Sequence, residues 1–297
     1  MSIKSSGILT PGIGIVCSDA GASNLIFSFL KHSCNSDFQF YLEGPAIDIL
    51  KAHNFDNDIN DNLENMVKGN KTLITGSGWS SDIEKKARKI AKKYGIYSIT
   101  ILDHWVNYKE RFIKDDESIL PDEIWVVDEY AFKIAQDCFP NTKIELITNF
   151  YLKDQIKNIN LINLNEEPEL LYVMEPIRSD WGKGILGEFQ AFNFLIKNFE
   201  HLNLPNDINI AIRPHPSDKE GKYQELIENN PEFSIKIDKD RQLFESIGSA
   251  HWVAGCETYA LVIAIQSGKK VFCSLPPWSP QCRLPHKELI HLKHLAN

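Results

Sequence analysis

The sequence predicts an α/β protein of two tandem, doubly wound, Rossmann-like domains facing a cleft. Three observations predict it. Short β-rich runs alternate with longer helical ones, the pattern of a parallel sheet with helices on both faces. The alternation lapses once, over the polar, Asn-rich stretch 151–168, and then restarts. The 297 residues are 43% hydrophobic and 24% charged, enough apolar material for two cores.

In the first half, "GIGIVC" (12–17) reads as a strand, 22–32 as a helix and 37–44 as a strand. A helix follows at 60–69, and then a strand at 71–78 that ends in glycines. Ser81-Asp82 starts a helix that Gly95 stops. Strands follow at 96–103, 123–128 and 143–148, with a helix at 129–139 between the last two. Residues 151–168 read as a helix and linker closed by Pro168, giving domains at 1–150 and 169–297. In the second half, strands are expected at 169–175, 208–214, 233–238, 251–255 and 269–275. Helices are expected at 187–202, 222–230, 240–250, 257–268 and 286–295.

Bulk properties narrow the function. The net charge of −8, with no basic tail, argues against a nucleic-acid partner. The six cysteines show no Cys-x-x-Cys pair and read as reduced thiols of a cytoplasmic protein. No apolar run reaches the ~18–20 residues of a membrane span. The N-terminal stretch lacks a signal peptide's apolar core. Peripheral contact with a membrane stays open.

Open parallel sheets bind ligands beyond the carboxyl ends of their strands, so the residues just past each strand are the candidates. In "EPIRSDWGKG" (175–184), Arg178 and Lys183 with two glycines can seat a phosphate on backbone amides. In "IRPHPSDKEG" (212–221), Arg213 can fork onto a phosphate or carboxylate. His215 can give a proton or a hydrogen bond to an anionic leaving group, with Pro214 and Pro216 fixing its direction. Gly255, Cys256, Glu257 and Thr258 open a helix whose N-terminus suits a phosphate, with Glu257 free for a sugar hydroxyl. Ordinary capping explains Glu257-Thr258 equally well. The Pro-rich loop 275–286, with Trp278 and Arg283, can wall such a site. In the first half, Asp19 stands beside Gly21, where backbone can approach a ligand. Asp103-His104-Trp105 offers a carboxylate, an imidazole and an aromatic platform, a set suited to a sugar acceptor. "DKD" at 238–240 precedes a helix and reads as a cap, so no metal is expected.

Together these features resemble a GT-B glycosyltransferase. In that family the N-terminal domain receives the acceptor and the C-terminal domain binds the nucleotide donor. "RPHP" (213–216) resembles the His-Pro motif of bacterial sialyltransferases, in which the histidine meets the phosphate of a CMP leaving group. "GCETYALVIAIQSGKKVFCSLPPWS" (255–279) resembles a block of capsule Kdo-type transferases. The sialyltransferase Asp/Glu-Asp/Glu-Gly motif is absent, and its nearest counterparts are Asp103 and Asp19-Ala20-Gly21. The resemblance implies metal-independent inverting transfer from a nucleotide sugar, CMP-activated by preference, to a glycan hydroxyl in surface polysaccharide biosynthesis. Asp103 is the first choice of base and Asp19 the second, and no cofactor is implied. His-Pro motifs also occur in CDP-polyol phosphotransferases, sugar-nucleotide 2-epimerases share the fold, and a non-catalytic nucleotide-binding relic would keep it.

Overall fold

A parallel strand covered on both faces must be apolar on both, and Ile13–Cys17 meets that demand as β1, buried along its whole length. The computed structural model that shows this describes residues 12–33, 37–78, 81–114, 117–176, 179–205 and 207–296. The chain divides into two units, Met1–Tyr151 and Leu152–Asn297.

In the first unit β1 is followed by α1 (Ala20–Ser33), β2 (Phe38–Leu42), α2 (Pro45–Ala52), α3 (Leu63–Lys68), β3 (Thr72–Thr75), α4 (Ile83–Tyr94) and β4 (Tyr97–Ile101). A short antiparallel pair, β5 (Ile113–Lys114) and β6 (Glu117–Ser118), precedes β7 (Glu123–Val126), α5 (Glu129–Cys138) and β8 (Lys143–Leu146). Six parallel strands form one sheet in the order β2-β1-β3-β4-β7-β8. One face packs Phe27, Phe29, Phe40 and Trp125; the other packs Val16, Met66, Leu73, Ala87 and Ala91. Helix α2, which the alternation does not predict, begins with Pro45 in its first turn, where a missing N–H costs nothing.

The boundary falls in α6 (Phe150–Ile159). The segment expected to be a linker docks on the second unit: Asn165 N–H donates to Ser249 O at 2.9 Å, and Ile162 packs against Gly248, where a Cβ would come within 2.6 Å of it. The second unit holds β9 (Glu169–Val173), α7 (Gly187–Lys197), β10 (Asn209–Arg213), α8 (Gln224–Glu228), β11 (Ser234–Ile237) and α9 (Leu243–Ser249). Then come β12 (Trp252–Gly255), α10 (Tyr259–Gln266), β13 (Lys270–Cys273), β14 (Ile290–His291) and α11 (Leu292–Leu295). Its sheet order is β11-β10-β9-β12-β13-β14, again all parallel. The expected helix at 286–295 is corrected: Ile290 and His291 pair with Phe272 and Cys273, and only Leu292–Leu295 is helical. Nor does 238–240 cap a helix. Gln242 and Glu245 form the capping box of α9, while Asp238 pairs with Arg241 at 2.8 Å.

Each sheet has one switch point, where the chain reverses the direction in which it adds strands. In the first unit it lies between β1 and β3, in the second between β9 and β12. Loops leaving such neighbours diverge and open a crevice. At the second switch, Gly255 lies opposite Val173, and an added Cβ would sit 2.8 Å from the Val173 carbonyl oxygen. The glycine thus serves strand packing. Gly255→Ala is expected to cost about 1–3 kcal/mol, the usual range for overpacking, measured as a lower urea midpoint at unchanged slope.

Candidate active site

The first switch point gathers buried charge. Asp19 follows β1, and its Oδ1 accepts the Ala22 amide at 2.9 Å, which fixes the side chain at the start of α1. Three glycines make room for carboxyl groups. A Cβ at Gly21 would lie 2.1 Å from Asp103 Oδ2, and one at Gly78 would lie 2.9 Å from Asp19 Oδ2. At Gly76 it would lie 3.4 Å from the same oxygen. Gly21 therefore clears space for Asp103, not for a ligand's approach to backbone.

Asp103 Oδ1 is held by Arg111 Nη1 at 3.0 Å in a pair only 16% and 8% exposed. Arg111 also donates to Ser77 O and Oγ. Glu84, from α4, is 2% exposed, and its Oε1 accepts from Ser18 N at 3.0 Å and Ser18 Oγ at 2.8 Å. Burial raises its pKa. One turn on, Arg88 donates to Ile119 O, Thr75 Oγ1 and Gly76 O, and burial lowers it to about 10. Asp19 is the most displaced carboxyl of the set, pushed up to about 7 by burial first and then by the Asp103 charge. Its Oδ2 and Glu84 Oε2 are buried and lack a hydrogen-bond partner among the described residues. A cavity of about 240 Å³ lies alongside, lined in part by Gly78, Glu84, Arg88, Arg111 and Phe112.

The Cys17 thiol lies within 4.8 Å of the Asp19 and Glu84 carboxyls. We assign no metal ligands there. Burial pushes the thiol well up, Ser23 Oγ donates to it at 3.1 Å, and Arg88 and Arg111 already supply countercharge. His104 and Trp105 do not form an acceptor platform: Trp105 is buried, with Nε1 donating to Asp128 Oδ2 at 2.9 Å, and its amide donates to His104 Nδ1. Trp105 is a packing residue.

In the second unit His215 and Cys256–Thr258 sit on one sheet edge, past β10 and β12, the two strands that flank β9. Arg178 lies outside the described residues. Several expected anion seats are filled by the protein's own carboxylates. Asp180 accepts the Lys183 and Gly184 amides at 2.8 and 2.9 Å, and Lys183 Nζ lies 5.0 Å over the Trp278 ring. Glu175 accepts the Glu257 amide. Glu257 is not free for a sugar hydroxyl either: it accepts from Arg283 N at 2.8 Å and Arg283 Nε at 2.9 Å. Thr258 caps α10 through Ala260 N, and Cys256 is buried. Arg213 turns inward, its Nη1 donating to Arg241 O and Ser246 Oγ beside Asp238. The phosphate fork expected of Arg213 is thus spent on the fold.

His215 remains. Its Nδ1 accepts the Ser217 amide at 3.2 Å and lies 2.7 Å from Ser217 Oγ, so the neutral ring carries its proton on Nε2. Burial lowers its pKa, with Lys222 adding to the effect and Asp218 opposing it. The group is therefore a neutral hydrogen-bond donor near pH 7, and not the proton donor also expected of it. Asp218, which accepts the His215 amide at 2.8 Å and is tied to Lys222 and Tyr223, sets the turn.

With both units described, the fold can be compared. No protein-family profile matches the sequence, and no curated protein matches it. Solved structures do. The S. aureus MnaA–UDP co-structure superposes with a TM-score of 0.60 at 8% identity, covering 89% of this chain and 79% of that one. The UDP-GlcNAc 2-epimerase of Neisseria meningitidis bound to UDP-GlcNAc gives 0.57 at 10% identity, covering 88% and 82%. The UDP-N-acetylglucosamine 2-epimerase of Rickettsia bellii gives 0.56 at 10%, covering 89% and 79%. Identities this low establish the fold alone: the chain has the two-domain, Rossmann-like GT-B architecture. No helix of the described residues is long and apolar enough to cross a membrane.

Proposed function

We propose that the chain is an enzyme acting on a nucleotide-activated sugar, with Asp19 as the proton acceptor and His215 as a hydrogen-bond donor to the nucleotide phosphate. The observation that carries the reading is the Asp19 carboxyl, partly exposed at a switch point and pushed up to about 7. A base works best when its pKa lies near the operating pH. The fold supports the substrate class, because neighbours of this fold were solved with UDP and UDP-GlcNAc. We read the reaction as inverting glycosyl transfer. Asp19 takes the acceptor hydroxyl proton, the freed oxygen attacks the anomeric carbon, and the sugar–phosphate bond breaks as negative charge gathers on the nucleotide. Arg111 holds Asp103 beside the base, so Asp103 is assigned an orienting role. The preference for a CMP donor, and for a glycan acceptor of surface polysaccharide biosynthesis, rests on the His-Pro and 255–279 resemblances.

A second reading has its own support: sugar-nucleotide 2-epimerisation, since the superposed neighbours include UDP-GlcNAc 2-epimerases. There the same carboxyl would remove a carbon-bound proton. The two readings separate in one experiment. The protein is incubated in D₂O with UDP-, CMP- and GDP-sugars, with and without glycan acceptors, and followed by NMR. Acceptor-dependent nucleotide release supports transfer. Deuterium entering the sugar ring without an acceptor supports epimerisation. Neither event with any donor, alongside tight nucleotide binding, would leave a binding protein and sink both.

A further inference from the structure

The buried charges at the end of β1 do not balance. Three carboxyls, Asp19, Glu84 and Asp103, face two guanidiniums, Arg88 and Arg111, with the Cys17 thiol beside them. Fully ionised, the set would leave one uncompensated buried negative charge, a costly arrangement that a single bound proton removes. Asp103 is not the proton's seat, because Arg111 holds its Oδ1 at 3.0 Å. The remaining seats are Asp19 Oδ2 and Glu84 Oε2, both buried and without a hydrogen-bond partner, on carboxyls that approach within 4.8 Å.

We propose that Asp19 and Glu84 share one proton at neutral pH, and that Glu84 is a positioning residue that readies Asp19 to act as a base. Glu84 is suited to the part. Its Oε1 is pinned by Ser18 N and Oγ, leaving Oε2 uncommitted. Moving the shared proton onto Glu84 leaves Asp19 ionised without importing or losing charge. A substrate hydroxyl can then give its proton to Asp19 while its electron pair stays on the attacking oxygen. The catalytic consequence rests on the reading of Asp19 given above; the shared proton itself does not.

The test is a ¹³C NMR titration of the carboxyl groups in the ligand-free full chain. The wild type is expected to titrate in two steps, each sensed by both side chains. In Glu84→Gln, whose amide oxygen can still accept from Ser18, removal of the like charge should lower the Asp19 midpoint by about one pH unit or more. Ser18→Ala is a milder second variant. It removes a hydrogen bond that favours ionised Glu84, so the proton moves toward Glu84 and the Asp19 midpoint again falls. An unmoved Asp19 midpoint in both variants, or in Ser18→Ala if Glu84→Gln does not fold, overturns the proposal. Turnover is scored separately: the acid limb of the pH–rate profile should move down with the NMR midpoint. A midpoint that falls in a protein inactive toward every nucleotide sugar would keep the shared proton and reject the enzymatic reading.

Discussion

Asp19→Asn is expected to lose about 10²–10⁴ in turnover, the range of a positioned general base, while melting at a higher temperature than the wild type above pH 7. The two effects share a cause. In the unfolded chain Asp19 ionises near its ordinary value of 3.8; in the folded protein it holds its proton to about 7. A carboxyl whose folded pKa is raised binds more protons folded than unfolded, so its contribution to stability falls as pH rises between those values. Asparagine cannot ionise, and its side-chain oxygen can still accept the Ala22 amide. The variant should therefore melt like the wild type at pH 4 and below, then outlast it increasingly up to pH 8. For a chain of this size each kcal/mol moves the melting temperature by about 2–4 °C. Gaining stability while losing activity is the mark of a strained functional group. Paired melting curves and turnover at pH 4, 6 and 8 check it. Full turnover in Asp19→Asn would remove Asp19 as the base, and a melting difference that shrinks with pH would show that its burial is not what raises its pKa.

The architecture was legible because its signals are local. Five consecutive buried residues in "IGIVC" and the Gly95 stop of α4, in the left-handed region at φ 66°, follow from neighbours in sequence. The site was only half legible. Asp19 and His215 announce themselves by standing past a strand. Glu84 and Arg88 do not: they lie in a lysine-rich helix that reads as solvated, although Ile83, Glu84, Ala87, Arg88 and Ala91 mark its buried face. That stripe carries the signal, for two opposite charges among alanines one turn apart are misplaced unless the sheet beneath is charged. Several anion seats misled for a different reason. Glycine-containing turns and helix starts offer amides, but whether a ligand or an internal carboxylate takes them is decided by distant residues. Glu175 reaches Glu257 across 82 positions. Trp105 looked like a platform because aromatic residues beside carboxylates serve both purposes, and only its bond to Asp128 decides for packing.

His215→Ala should lower turnover by about 10²–10³, the usual cost of removing one preorganised hydrogen-bond donor, with the fold intact. The fold survives because the histidine's structural contact is made by its backbone: the amide donates to Asp218 Oδ2 at 2.8 Å, and alanine keeps that bond. Pro214 and Pro216 restrict the turn on either side, and Ser217 occupies Nδ1. The side chain is thereby left with one uncommitted function, the Nε2 proton. Because burial depresses its pKa, the active form is the neutral ring. Turnover should therefore not decline above pH 7 through loss of a proton from His215, as it would if the residue acted as an acid. His215→Gln, which retains a side-chain N–H, should recover part of the loss. If the donor meets charge that develops on the departing phosphate, kcat falls more than nucleotide affinity does, since the bond strengthens only in the transition state. Equal losses in both would place the histidine in ground-state binding. Wild-type turnover in His215→Ala with a confirmed donor would make it a strand-end residue and nothing more, and the leaving group would need another partner on the same sheet edge.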